Sequence, residues 1–270
     1  MTDRHAAFVG SIPTNYDRYL GPLFFHGYAD DLAARVPVAA GVRVLEVACG
    51  TGIVTERLAG RVQGRGSLVA TDLNEAMLAH AQRRLGPRSA VEWRQADGTR
   101  LPFEDESFDV VVCQFGLMFF PDKAAGVAEA FRVLRSGGRY LFNVWDVIER
   151  NPVARIAHET VASFFPTDPP GFYRVPFTLH DPAAVTRFLE QARFTDIAWE
   201  HVEKTGTSPS AAEAATGLIE GNPIYDAIMQ RRPGALAEIE AAVAGKVVAE
   251  LGNYPVRCPL RALVFSARRP

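Results

Sequence analysis

At 270 residues, with 48% hydrophobic and 22% charged residues, the chain is long enough for one large core plus an appended cap. A net charge of −2 and a pI near 6.3 give no basic excess to neutralise phosphates, which argues against nucleic acid as a partner. There is no 18-residue apolar run, and the opening MTDRHAAFVGSIP is too poor in apolar residues for a secretory signal, so no membrane span and a cytoplasmic location are expected.

The segment Tyr16 to Val36 reads as a helical or helix-loop leader rich in aromatic residues. From Val42 onward, short apolar runs alternate with helical patterns, the signature of βαβ units and a parallel sheet covered on both faces. The first strand is Val42 to Val47, and a helix from Ile53 to Ala59 opens just after the glycine turn, its N-terminal amides facing whatever binds there. A second strand, Ser67 to Thr71, leads to a helix with Asn74 as N-cap and Met77, Leu78, Ala81 and Leu85 on one face. Strands follow at Val91 to Gln95 and Phe108 to Phe115, the latter almost continuously apolar. A helix from Lys123 to Arg135, ended by Gly137 and Gly138, precedes a strand from Tyr140 to Val144.

Beyond Trp145 the pattern predicts a helix from Pro152 to Phe165, a proline-broken aromatic loop around Phe172 to Phe177, and a helix from Ala183 to Gln191. A sixth strand, Ile197 to Glu203, and a last one, Leu260 to Ala267, flank helical sequence at Ser210 to Glu220 and Gly234 to Leu251. The fold expected is α/β: a Rossmann-like, doubly wound seven-stranded sheet, mostly parallel with an antiparallel last strand, plus a helical cap. Cys49, Cys113 and Cys258 are scattered, odd in number and free of C-x-x-C spacing, which suggests neither disulfides nor a metal site.

The stretch Val44 to Gly52, VLEVACGTG, followed by Asp72 at the end of the next strand, describes a glycine turn and a carboxylate suited to a nucleoside. A dinucleotide fingerprint needs a third small residue where this chain has Thr55. Glu46, four residues before Gly50, would repel a pyrophosphate and suits a positively charged ligand. These residues, with TDLN at 71–74, QADGTRLPFEDESFDVVVCQFGLMFFPD and EAFRVLRSGGRYLFNVWD, resemble class I S-adenosylmethionine-dependent methyltransferases of the type-11 branch, which includes ubiquinone and menaquinone methyltransferases. The resemblance covers about residues 40 to 145.

By that resemblance the cofactor is S-adenosylmethionine and the product S-adenosylhomocysteine. Ala48, Cys49, Gly50 and Gly52 would run beneath the methionine part, with Glu46 supplying negative charge. Asp72 would take both ribose hydroxyls, Leu73 and Met77 would pack on adenine, and Asp97, between Ala96 and Gly98, would receive its amino group. Gln114 and Phe115, with Gly116, would lie near the sulfonium, and Tyr16 would reach the site from the leader. Phe119 and Phe120 divide between facing the substrate and anchoring the next helix.

The resemblance implies a helical leader or lid over residues 1–40 and a cofactor-binding core over 41–146. Residues 147–270 would complete the core and carry a substrate-capping insertion at about 206–254. The acceptor expected is a small molecule, with the aromatic loop and insertion hinting at an apolar one. No catalytic acid or base is assigned among His26, His158, His180 and His201, no metal is expected, and the oligomeric state is unread. Two other functions remain open at this point, a nicotinamide oxidoreductase with a degenerate fingerprint and a non-catalytic cofactor-binding module.

Overall fold

The computed structural model describes residues 8, 10–87 and 90–270. Residues 1–7 and 9 of the expected leader lie outside the described residues. Seven strands form one sheet: β1 (Val42–Val47), β2 (Gly66–Asp72), β3 (Val91–Gln95), β4 (Phe108–Gln114), β5 (Leu134–Trp145), β6 (Thr195–Ser208) and β7 (Val256–Arg268). Their order is β3-β2-β1-β4-β5-β7-β6, with β1 to β5 parallel and β7 antiparallel to both neighbours. This is the architecture expected from the sequence. The order reverses between β1 and β4, so the carboxyl ends of those strands open a crevice where ligands of doubly wound sheets bind.

Helices α1 (Ile12–Asn15) and α2 (His26–Arg35) flank a π-helix at Tyr16–Phe25. Then come α3 (Ile53–Val62), α4 (Glu75–Leu85), α5 (Lys123–Val133), α6 (Pro152–Ser163), α7 (Pro182–Gln191), α8 (Ala211–Glu220), α9 (Ile224–Arg231) and α10 (Leu236–Leu251). No described helix is long and apolar enough to cross a membrane. The central strands β1 and β4 are covered on both faces: Val44, Leu45, Val110, Val111 and Val112 are fully buried. The π-helix contains Pro22, and the His26 N–H donates to the Gly21 carbonyl five residues back. The wide turn suits a segment whose proline lacks an amide to give.

Several boundaries differ from expectation, each for a local reason. Asn74 stands at the N-cap of α4, but its side chain does not cap; its amide and Nδ2 both turn back to Asp72 Oδ1, at 2.8 and 3.5 Å. Helix α5 stops at Val133, before the glycines. Gly137 and Gly138 instead lie in an irregular start of β5, where the Gly137 N–H donates to the Arg269 carbonyl and the Arg269 N–H to that of Gly138. Strands β6 and β7 pair over far longer stretches than their apolar alternation marks, because β6 is an edge strand with a mostly exposed polar surface. Helix α9 was hidden by Gly221, Pro223 and Pro233 around it; its buried Ile224 and Ile228 are the only short-range apolar signal. After α7, Arg193 adopts the left-handed conformation at φ 68°, which its side chain disfavours by about 1 kcal/mol.

Candidate functional site

Two left-handed turns meet at the carboxyl ends of β1 and β4. Ala48, Gly50 and Gly52 have φ of 56°, 55° and 80°, and Phe115 has 50°. A non-glycine residue pays roughly 1 kcal/mol for this backbone, so the surroundings must hold it. The Cys49 N–H donates to the Thr71 carbonyl at 2.9 Å and the Gly50 N–H to Asp72 Oδ2 at 2.8 Å. On the other side the Phe115 N–H reaches both the carbonyl and Oδ1 of buried Asn143, at 3.2 and 3.0 Å. Gly116 lets the two turns touch, since a Cβ there would lie 2.5 Å from that of Ala48.

A cavity of about 370 Å³ sits over these turns, within the size range of small-molecule sites. Ala48 and Gly50 floor it, Gln114 and Phe115 close one side, and Tyr16 reaches in from the leader. Leu73, 43% exposed, and buried Met77 form an apolar edge. Ala96, Asp97 and Gly98 complete the lining opposite Asp72. Asp97 is braced by Thr99, whose amide and hydroxyl both donate to Oδ1, at 2.8 and 2.7 Å. Asp72 is braced by the amides of Gly50 and Asn74, and burial raises its carboxyl pKa against those hydrogen bonds. Phe120 is wedged between Gly98 and Gly126, where a Cβ would fall 2.4 and 2.3 Å from its ring. It anchors the start of α5, whereas Phe119 turns towards Phe172, ring centroids 6.2 Å apart and stacked.

Three expected residues stand outside this cavity. Glu46 and Cys49 line a small adjoining pocket of about 30 Å³, together with Tyr16, Thr51 and Gln114. Burial pushes the Glu46 carboxyl up to about 8, with Thr55 opposing the shift and the charge of Asp72 adding to it. Glu46 Oε2 and Gln114 Oε1 are both buried without a hydrogen-bond partner among the described residues. Burial and the charges of Asp72 and Glu46 push the Cys49 thiol well up, which holds it protonated and unsuited to nucleophilic attack. Gly52 lines neither space. It precedes α3, and its bare Cα lets α4 approach: a Cβ would meet that of Ala81 at 3.0 Å.

The leader is tied to the glycine turn. Asp17 Oδ1 accepts from the Thr51 hydroxyl at 3.1 Å, and the carboxylate pairs with His80 at 3.4 Å and Arg84 at 3.7 Å. Arg84 in turn donates to the carbonyls of Thr51 and Gly52. Tyr16, stacked on Phe25 at 4.7 Å, lines both the main cavity and a second one of about 60 Å³, as do Phe8, Phe115 and Phe119.

That annex is walled by Phe24, Phe25, Phe115 and Trp145 on the sheet side and by Phe172, Tyr173 and Phe177 from the aromatic loop. Phe115 and Trp145 stack at 3.9 Å and 5°. No charged side chain lines it among the described residues. Its polar side chains are those of Tyr16, Tyr173 and Asn222, with the indole of Trp145. None of the four histidines considered lines either cavity. His180 Nδ1 lies 2.8 Å from the Phe177 carbonyl and His201 pairs with Asp146 at 3.5 Å, both structural engagements.

The sequence reading passed over Phe8, Asn74 and Pro121 in the main cavity, and Asn222 in the annex. Asn74 was readable as the neighbour of an Asp72 loop. Asn222 had no signal, because nothing local connects it to residues 16 to 177.

Residues 45–142 match the model of a family described as a methyltransferase domain. A ubiquinone/menaquinone biosynthesis C-methyltransferase from Idiomarina loihiensis is 40% identical over 107 residues, 38% of this chain and 43% of the relative. A demethylmenaquinone methyltransferase from Lactiplantibacillus plantarum is 33% identical over 135 residues, 48% of this chain and 57% of the relative. The chain thus spans about half the length of the curated relatives it matches. Among solved structures, a Haemonchus contortus phosphoethanolamine N-methyltransferase complex superposes with a TM-score of 0.61 at 18% identity, covering 96% of this chain and 57% of that one. The YcgJ protein of Bacillus subtilis gives 0.59 at 16% identity, covering 90% and 98%. At these identities the superpositions speak for the fold.

Proposed function

We propose that the chain, whose residues 45–142 match the model of a methyltransferase domain, transfers a methyl group from S-adenosylmethionine to a small, uncharged, apolar acceptor. The observation that carries the reading is the acidic, cation-free cavity. Asp72 and Asp97 line it, Glu46 lies just behind, and no Lys, Arg or His is among the described lining residues. A dinucleotide pyrophosphate would find only carboxylates there, which disfavours a nicotinamide enzyme. A cationic methionine end would satisfy the two orphaned acceptors, Glu46 Oε2 and Gln114 Oε1.

In this reading Asp72 holds the ribose hydroxyls, its orientation fixed by the Gly50 and Asn74 amides. Asp97 and the Leu73–Met77 edge receive adenine, and Ala48 and Gly50 carry the methionine part. When bound, S-adenosylmethionine supplies an electrophilic methyl on a sulfonium whose charge disappears on transfer. The chain's own residues position the acceptor and exclude water. Burial keeps the Tyr16 hydroxyl neutral, and among the described residues no imidazole lines either cavity. Residues 1–40 act as a lid, 41–146 hold the cofactor, and the aromatic loop and the insertion cap an acceptor in the annex. A cytoplasmic enzyme for a small molecule is the setting this implies.

Calorimetry with S-adenosylhomocysteine tests the donor side. Wild type is expected to bind and Asp72→Ala to lose at least tenfold in affinity. No heat, or an unchanged affinity in the variant, refutes the assignment.

A further inference from the structure

The annex contains a buried polar side chain with one acceptor that the fold itself does not use up. Asn222 lies just beyond the carboxyl end of α8 and is only 6% exposed. The Leu218 carbonyl, one of the last in that helix, has no intrahelical amide to receive. It accepts instead from the Tyr173 hydroxyl at 2.6 Å and from Asn222 Nδ2 at 3.1 Å. Nδ2 also faces the Tyr173 hydroxyl oxygen at 3.4 Å. A carbonyl only accepts, so the amide group of Asn222 must turn its NH2 to Leu218 and its Oδ1 the other way. Oδ1 takes no hydrogen bond from the described residues, and Asn222 borders a space otherwise walled by aromatic rings.

We infer that Asn222 Oδ1 is the polar anchor of the acceptor site, receiving a hydrogen bond from the hydroxyl of an otherwise apolar, uncharged aromatic acceptor. The inference rests on reading the annex as the acceptor's place. The absence of charged side chains from its lining disfavours a phosphate, carboxylate or ammonium there, since nothing would compensate a buried charge. The flat walls, Phe115 stacked on Trp145 and Phe119 on Phe172, suit a ring. A single fixed acceptor at one edge selects a ring that brings a donor. It discriminates against the same ring without one, because binding that analogue leaves Oδ1 both dry and unmet.

The pair phenol and toluene tests this, being close in shape and differing in the donor. Dissociation constants are measured by ligand-observed NMR on the full chain saturated with S-adenosylhomocysteine, for wild type, Asn222→Leu and Tyr16→Phe. A purely apolar pocket favours toluene, the less hydrated of the two. The expected result is wild type binding phenol at least tenfold more tightly than toluene. The ratio should fall below one in Asn222→Leu, with toluene affinity retained, and stay above one in Tyr16→Phe. Toluene binding as well as phenol to wild type overturns the inference while leaving an apolar acceptor site standing. A ratio that survives Asn222→Leu, or that collapses in Tyr16→Phe, also overturns it. Failure of both probes to bind wild type refutes the annex as acceptor site. The wild-type ratio decides the matter even where the leucine variant folds poorly.

Discussion

Replacing Glu46 by glutamine should change how stability responds to pH more than it changes stability itself. The folded carboxyl titrates at about 8 against an ordinary value of 4.5, with burial as the leading cause. The folded state therefore keeps a proton that the unfolded chain releases over the window from 4.5 to 8. Glu46 contributes its full stability below pH 4.5 and loses it progressively as pH rises through the folded value. Between pH 5.5 and 7.5 the linkage integral is about 2.5 kcal/mol. Glutamine fills nearly the same volume and cannot ionise, so the variant lacks this slope. Urea unfolding of both proteins at the two pH values isolates the contribution, because every other titrating group is shared. With m of about 2–3 kcal/mol per M, the wild-type midpoint should fall by roughly 1 M more than that of Glu46→Gln. Parallel losses in the two proteins would refute the claim that this carboxyl is buried without adequate partners.

The same proton should appear in binding: if a cationic ligand end pairs with Glu46, S-adenosylhomocysteine affinity rises with pH from 6 to 8. Titrations at pH 7 in buffers of different ionisation enthalpy should then reveal a released proton; buffer-independent heats would speak against the pairing. Gly206→Ala should cost about 3 kcal/mol or more and free the leader, since a Cβ there would lie 1.8 Å from the Leu23 carbonyl oxygen. Unfolding midpoints and protease cleavage within residues 10–25 measure it, and wild-type behaviour would contradict the close approach. All three cysteines are buried, and burial pushes Cys113 and Cys258 up to about 12. A disulfide reagent should label none of them in the native protein within minutes and all three in denaturant, whereas rapid native labelling of Cys49 would contradict its burial and raised pKa.

Legibility followed sequence distance. Strands β1 to β4 and the turn at Ala48 to Gly52 were readable because apolar periodicity and the glycine spacing act within a few residues, and the carboxylates of Glu46, Asp72 and Asp97 sit at strand ends. Gly52 lines neither cavity and lets α4 approach instead, and spacing alone does not distinguish a ligand-facing turn glycine from one that lets two helices meet. The irregular entry of β5 escaped because Gly137 and Gly138 look the same in a helix stop as in a strand bulge. The acceptor side was illegible for a stronger reason. Its walls come from the leader, from β4 and β5, from the aromatic loop and from one asparagine at position 222, joined only by tertiary packing.

The tie between Asp17 and the glycine turn bears on the order of events. The leader that carries Asp17 also carries Tyr16, which lines both cavities. A segment fastened to the glycine turn and lining both cavities couples the two mechanically. On the proposed reading, loading the main cavity with the donor should therefore set the geometry in which the acceptor enters the annex. Steady-state kinetics would register that as a compulsory sequence, donor first and demethylated donor last to leave.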